Sequence, residues 1–90
     1  MARRPRVTGR KVAKVLEKAG FILSRTRGSH HIYRHPESGR RVTVPVHRGK
    51  IIPPGTLANI LRQARLNWED FKSLLLEAKQ RGAKVNNSPS

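Results

Sequence analysis

The sequence predicts a small α+β domain, in which a three-stranded antiparallel sheet carries two helices on one face and a third helix follows at the C-terminal end. Apolar residues recur at helical spacing before and after the middle of the chain. The middle holds three short runs with β-branched and aromatic residues, separated by Gly, Pro and Ser. Such a sheet must cover one face, and two flanking helices can do so. A chain of 90 residues has room for one domain and buries only ~60% of its unfolded surface, so no large enclosed cofactor cavity is expected.

The first helix is predicted over residues 9–19. Thr8 can cap its first turn, and Gly20 is suited to end it in a left-handed conformation. Its apolar side chains follow the spacing of one helical face: Val12, Val15, Leu16 and Ala19. Residues 1–7 are rich in arginine and offer little that could be buried, so we expect them to form a flexible basic arm.

Three strands are predicted over residues 21–26, 30–34 and 40–44. The turn at residues 27–29 makes the first two strands a hairpin. The Pro and Gly of residues 35–39 mark a second turn before the third strand. The strands therefore form an antiparallel meander.

Two more helices are predicted after a loop. The second covers residues 56–65, and the third covers residues 67–81, with Asn67 as its cap and acidic residues in its first turn. We expect residues 8–81 to form a single domain and residues 82–90 to be a disordered polar tail. This order of elements matches the architecture of double-stranded-RNA-binding domains.

The charge of the chain indicates the class of its partner. Twenty Lys and Arg stand against five acids, a formal net charge of +15, and residues 1–65 hold 16 of those cations and two of the acids. Such a field attracts polyanions and gives binding that weakens with salt, so nucleic acid is the favoured partner. The simpler alternative is a generally solvated basic surface.

The composition also argues against several kinds of site. The chain has no cysteine, which removes disulfides, thiolate zinc sites and cysteine nucleophiles. His31 and His35 would lie about 13 Å apart along one strand, too far to share a metal ion, so neither a metal nor another cofactor is expected. No apolar run approaches the roughly 18 residues of a membrane span, and no signal peptide is recognisable. We expect a cytoplasmic protein without membrane contact.

The segment Gly28-Ser29-His30-His31 is the leading candidate for chemistry. Its turn leaves backbone N–H groups free to meet a phosphate, and a histidine beside the turn can exchange a proton near neutral pH. RNA cleavage needs such groups, because the neighbouring 2′-hydroxyl is an internal nucleophile. From the spacing alone, a simpler role for His30 is favoured, in which it only binds a phosphate or closes the hairpin.

Strand alternation leaves the orientation of this segment open. His30 shares one face with Ile32, and His31 shares the other with Tyr33. If Ile32 is in the core, His30 begins its strand on the core side and reaches solvent at the rim of the sheet. Tyr33 would then lie on the open face, where it could stack on a base.

A second basic cluster follows the third strand, in a loop that contains His47, Arg48, Gly49 and Lys50. A glycine and cations ahead of a helix N-terminus can form a phosphate cradle. An ordinary solvated loop is an equally good interpretation.

Four motifs occur over roughly residues 8–75. They are Gly9-x-x-Val12-x-x-x-Leu16-x-x-x-Gly20-Phe21, Gly28-Ser29-His30-His31-x-Tyr33, Val42-Thr43-Val44-Pro45-x-His47 and Gly55-Thr56-Leu57-x-x-Ile60-Leu61. In this order and spacing they resemble the HicA-type (YcfA-type) mRNA interferase toxins. The resemblance implies a double-stranded-RNA-binding-like fold, ribosome-independent cleavage of mRNA, and neutralisation by a HicB-type antitoxin.

The resemblance also implies a role for His30, and the residues around it complete the predicted site. His30 takes the place of the histidine that this family requires for activity, so we expect it to act as a general acid or base. Ser29 and nearby amides would hold the scissile phosphate, and His31 and His47 are candidates for a second acid or base. The residues expected to bind flanking RNA are Arg25, Arg27, Arg34, His47 and Lys50.

The predicted function is therefore the toxin of a type II toxin–antitoxin system, a metal-independent endoribonuclease that acts on mRNA in stress responses. Its antitoxin should be acidic where it meets this basic surface. One alternative is a non-catalytic RNA-binding module that acts by occupancy. Another is a DNA-binding accessory domain, which would bind DNA and RNA equally.

Overall fold

A computed structural model of the chain describes residues 6–87, with side chains described as far as residue 78. The elements are α1 (Gly9–Lys18), β1 (Ile22–Arg27), β2 (His30–Arg34), β3 (Arg41–Pro45), α2 (Pro54–Ala64) and α3 (Trp68–Asn87). The strands form one antiparallel sheet in the order β1-β2-β3. The predicted α+β class is confirmed, and the ends of the elements from α1 to α2 lie within two residues of their predicted positions.

The core lies between the helices and one face of the sheet. Tyr33 of β2 pairs with Val42 of β3, and all three of Tyr33, Val42 and Val44 are buried on this face. The helices contribute the buried side chains of Val12, Val15, Leu16, Leu57, Ile60, Leu61 and Phe71. Burying large apolar side chains of this kind stabilises the fold by about 1.5–3 kcal/mol each.

The strand register shows which face of β2 is buried. Tyr33 is only 3% exposed, whereas Ile32 pairs with Arg25 and Thr43 on the open face. The arrangement with Ile32 in the core and Tyr33 on the open face is therefore wrong. Neighbouring residues of a strand point to opposite faces, so burial of Tyr33 places Ile32 on the open face. His30, two residues before Ile32, accordingly lies on the open face.

The N-terminal arm is shorter than predicted. Val7 is only 2% exposed, and its carbonyl accepts a hydrogen bond from the Ile52 N–H at 2.8 Å. Thr8 forms a β-bridge with Ile51 beside it. Burial of an apolar side chain outweighs the flexibility expected from the neighbouring arginines, so Val7 belongs to the domain. Residues 1–5 of the predicted arm lie outside the described part of the chain.

The third helix is longer than predicted. As expected, Asn67 caps its start, where its side chain accepts a hydrogen bond from the Asp70 N–H at 2.7 Å. Residues 82–87, expected in the tail, are helical, because a single glycine costs only about 1 kcal/mol within a helix. Residues 88–90 lie outside the described part of the chain. In the part that is described, neither α3 nor any other helix is long and apolar enough to cross a membrane.

β1 forms an uncovered edge of the sheet. All six of its residues are exposed, and α2 packs against β3, at the opposite edge, while α1 contacts both β3 and β1. Two large apolar side chains remain in solvent on β1, Ile22 at 59% exposure and Leu23 at 44%. The pairing of β1 with β2 shifts register just after them, between Leu23 and Arg25.

Candidate active site

The turn between β1 and β2 presents Ser29 and His30. Arg27 pairs with His30, so Gly28 and Ser29 form a two-residue loop. Gly28 has φ = 57°, and the φ of Ser29 is not positive. A positive φ at the first loop residue alone is the type II′ pattern, which matches the twist of a hairpin and favours glycine there. Gly28 therefore sets the position of the Ser29–His30 pair.

The loop after β3 folds back onto this turn. The Val46 N–H donates to the Ser29 carbonyl at 2.7 Å, and Ser29 Oγ lies 3.4 Å from His47 Nε2. His47 begins a tight turn in which the Lys50 N–H donates to the His47 carbonyl at 3.0 Å and Gly49 has φ = 72°. The Gly-Ser-His motif and the second basic cluster therefore lie in contact with each other.

The N-terminus of α1 fixes where this loop lies. Gly9 packs against the backbone of Pro45 and Val46, so that a β-carbon at Gly9 would lie 2.9 Å from Val46 Cα and closer still to the Pro45 carbonyl oxygen. The far end of the loop is held by the hydrogen bond from Ile52 to Val7. The loop that carries His47 is thus held at both of its ends.

His30 is the first residue of β2 and is exposed on the open face of the sheet. Its cross-strand partners are Arg27 in β1 and Pro45 in β3. An exposed imidazole can meet a phosphate and exchange a proton near neutral pH. Because His30 contributes nothing to the core, it can be replaced without loss of packing.

A shallow cavity of about 240 Å³ lies on the same open face. The residues that line it are Ser24, Arg25, Arg27, Ile32 and Arg41. Arg41 is missing from the residues predicted from the sequence, although a signal for it exists. It directly precedes Val42, and alternation along a strand places the neighbour of a buried residue on the opposite face.

The open face is strongly cationic. No carboxylate lines its cavity, and within the described side chains the single ion pair joins Lys18 to Glu77 at 3.2 Å. Nor do three His, Asp or Glu side chains of that part converge to hold a metal ion. Arg25, Arg27 and Arg41, the open-face arginines, are therefore available to bind an external anion.

Two of the predicted site residues lie away from His30. Arg34 is at the other end of β2, about 13 Å along the strand, and lines an apolar cavity with Ile22 and Leu23. His31 points to the opposite face of the sheet, toward α1. The structure thus places His30 next to Ser29, whose side chain lies against the His47 ring. His30 shares the open face with Arg25, Arg27 and Arg41, whereas His31 points to the opposite face.

The fourth histidine, His35, has a structural role. Its N–H donates to the Arg40 carbonyl at 2.9 Å and its carbonyl accepts from the Gly39 N–H at 2.7 Å, which closes the second hairpin. Its ring packs edge-on against Phe21, with centroids 5.1 Å apart, and a β-carbon at Gly20 would lie 3.1 Å from its Nε2. The Gly20-Phe21 pair therefore serves packing.

The residues that build this site fall within a single family match. The model of the family described as HicA toxin of bacterial toxin-antitoxin systems matches residues 9–66, more than half of the chain. The chain belongs to the HicA toxin family. A search of curated proteins finds no match.

The match gives this HicA protein a toxin role, and the partner of such a toxin is an antitoxin. It runs from the start of α1 to just past the end of α2, and so covers the Ser29 turn, the open-face arginines and the His47 loop. α3 begins beyond it. The resemblance seen in the four sequence motifs is thereby confirmed.

Proposed function

We propose that this HicA protein is an endoribonuclease that cleaves mRNA without a metal ion, with His30 as a general acid or base. The observation that carries the proposal is the contact between the two halves of the site. Ser29, which directly precedes His30, lies 3.4 Å from the His47 ring. Two groups able to exchange protons therefore flank one turn, whose backbone amides can face a phosphate.

The proposed reaction uses the nucleophile that RNA itself supplies. One histidine takes the proton of the 2′-hydroxyl as its oxygen attacks the adjacent phosphorus, and the bond from phosphorus to the 5′-oxygen breaks. The other histidine protonates the leaving 5′-oxygen. We assign these two steps to His30 and His47, while Ser29 and the turn amides hold the phosphate oxygens. The products are a 2′,3′-cyclic phosphate and a 5′-hydroxyl.

The open-face arginines provide the substrate-binding part of this proposal. Arg25 and Arg27, together with Arg41, would contact phosphates beside the scissile one, and Lys50 would do so from the His47 loop. Arg34, further along β2, would extend the contact to a more distant nucleotide. Phosphate contacts of this kind position RNA with little regard to its sequence.

Replacing Arg25 and Arg27 together by glutamine is expected to weaken RNA binding and to reduce its dependence on salt. Each phosphate contact on a single strand contributes ~0.7 to the slope of log K against log salt, so the slope should fall by about 1.4. Fluorescence anisotropy with a single-stranded RNA over a salt series measures both quantities. As a control, Arg62→Gln with Lys72→Gln removes two charges from exposed positions on α2 and α3. Equal losses in the two double variants would contradict an RNA site on the open face.

Cleavage is tested by incubating a long unstructured RNA with the purified toxin, free of antitoxin, in EDTA. We expect fragments with 2′,3′-cyclic phosphate and 5′-hydroxyl ends. RNA that is bound but stays intact would support the alternative function, a non-catalytic module that acts by occupancy. The cationic open face supports that alternative, because its arginines can bind RNA without any proton transfer.

The antitoxin is proposed to be a HicB-type protein with an acidic contact surface. The open face offers it arginines with no carboxylate in their cavity, which is the charge pattern that attracts an acidic partner. A partner on this face would exclude RNA from His30 directly. The proposed substrate places the activity of this HicA protein in the cytoplasm.

A further inference from the structure

A second cavity, of about 190 Å³, lies on the other side of the sheet from His30, between α1 and β2. The polar residues that line it are Arg10, Lys14 and Glu17 of α1 together with His31 and Tyr33 of β2. Val46, the first residue after β3, closes one side of it. The proton-transfer site does not use this cavity.

The secondary structure explains why these groups converge. Arg10, Lys14 and Glu17 follow the i, i+4, i+7 spacing of one helical face, and the small side chain of Ala13 on the same face leaves space between them. His31 and Tyr33 are two residues apart in β2 and so point to the same face of the strand. One face of α1 and one face of β2 therefore form the walls of this cavity.

The donors of the cavity suit an anion. No ion pair within 4 Å occupies Arg10 or Lys14 among the described side chains, in contrast to Lys18, which pairs with Glu77. The Tyr33 phenol is a hydrogen-bond donor at neutral pH, and burial, with a smaller effect from Glu17, raises its pKa further from that range. Two cations, an imidazole and a phenol thus face one space.

Glu17 restricts the kind of anion that fits. Its carboxylate lines the same cavity and would repel a bare, multiply charged anion. It can instead accept a hydrogen bond from a ligand that carries a donor next to its phosphate. A nucleotide has both features, because an amino group or a ring N–H of its base accompanies the phosphate.

Two residues that line the cavity are direct neighbours in the chain of residues in the proposed cleavage site. His31 lines the cavity, while His30 lies on the open face. Val46 lines it too, and donates its N–H to Ser29, while the next residue, His47, contacts the Ser29 side chain. A strand of RNA that passes over the Ser29 turn can therefore reach both.

We propose that this cavity binds one nucleotide of the RNA strand next to the scissile phosphate, with Arg10 and Lys14 on its phosphate and Glu17 on a donor of its base. The proposal rests on the proposed function, from which it takes RNA as the ligand. In this arrangement His31 contacts substrate and does not exchange a proton with the phosphate at His30, since the two side chains point to opposite faces of β2.

The test is fluorescence anisotropy with a 12-nucleotide oligocytidine whose 2′-hydroxyls are methylated, so that it binds without being cleaved. Arg10→Gln and Lys14→Gln are each expected to weaken binding about tenfold, the loss typical of one charged hydrogen bond. Lys11→Gln is the matched control. It removes the same charge from the same helix at an exposed residue that does not line the cavity, and should weaken binding less than about twofold.

Equal losses for Lys14→Gln and Lys11→Gln would overturn the proposal, because only the general field of the protein would then attract RNA. Failure of the wild-type toxin to bind the oligonucleotide would overturn the proposed function as well. This result differs from equal losses in the two variants, which would overturn only the nucleotide site. Unchanged RNA affinity combined with a weakened antitoxin complex would assign the cavity to the protein partner and would equally overturn the nucleotide site. Thermal unfolding of each variant checks that the fold is intact, and we expect no change because the substituted residues are exposed.

Discussion

Replacing His30 by alanine should lower the rate of RNA cleavage by about 10²–10⁴-fold, the contribution typical of one positioned general acid or base. The stability of the domain should not change, because the side chain is exposed at the start of β2 and packs against none of the core. Single-turnover cleavage of RNA in EDTA measures the rate, and thermal unfolding measures the stability. RNA affinity should stay near that of the wild type, since the open-face arginines remain.

Thr43→Ala is the matched control for this experiment. Thr43 is exposed on the same open face, where it pairs with Ile32, and carries no group that exchanges protons near neutral pH. It should cleave RNA at the wild-type rate. Full activity in the His30→Ala variant would remove His30 from the chemistry, whatever the control does.

Replacing Gly9 by alanine should lower the free energy of unfolding by about 1–3 kcal/mol, the usual cost of forcing an extra carbon into a packed site. The added β-carbon would meet the backbone of Pro45 and Val46, which cannot rotate away as a side chain could. Displacing that backbone also moves His47 away from Ser29, so cleavage should fall together with stability. Chemical denaturation and RNA cleavage measure the two effects.

Gly55→Ala is the matched control, because the same chemical change should not lower the stability there. Gly55 also lies in the first turn of a helix, but no atom from another part of the protein lies within 4 Å of where its β-carbon would be. Alanine is favoured over glycine in a helix by up to about 1 kcal/mol, so this variant should be as stable as the wild type or more so. If Gly9→Ala behaved in the same way, close packing at Gly9 could not be what positions the loop.

The elements of the fold are predictable from local patterns in this sequence. Apolar spacing fixed α1 and α2, and turn residues separated the strands, so their ends agree with the structure within two residues. The buried face of β2 is harder to predict, because Ile32 and Tyr33 point to opposite faces and either side chain could be buried. The deciding contact is between Tyr33 and Val42 in the next strand, and sequence alone does not give that register.

The site was predicted as separate parts. The Gly-Ser-His turn and the His47 loop each showed residues suited to phosphate, but Ser29 and His47 are 18 positions apart in the chain. Their contact depends on how α1 packs on the end of β3, which no local pattern reports. The sequence places Val7 in the arm for a similar reason, because a lone valine among arginines gives no periodic signal.

The uncovered edge at β1 has a consequence for how the toxin behaves on its own in solution. A bare strand with Ile22 and Leu23 in solvent is a template on which a second copy could add edge to edge. The same strand carries Arg25 and Arg27 and no acid, so two copies would bring like charges together. This repulsion is screened as the Debye length falls to about 3 Å in 1 M salt. Concentrated salt should therefore release the toxin from RNA and at the same time promote its self-association. Free toxin should resist aggregation best in a buffer of low ionic strength.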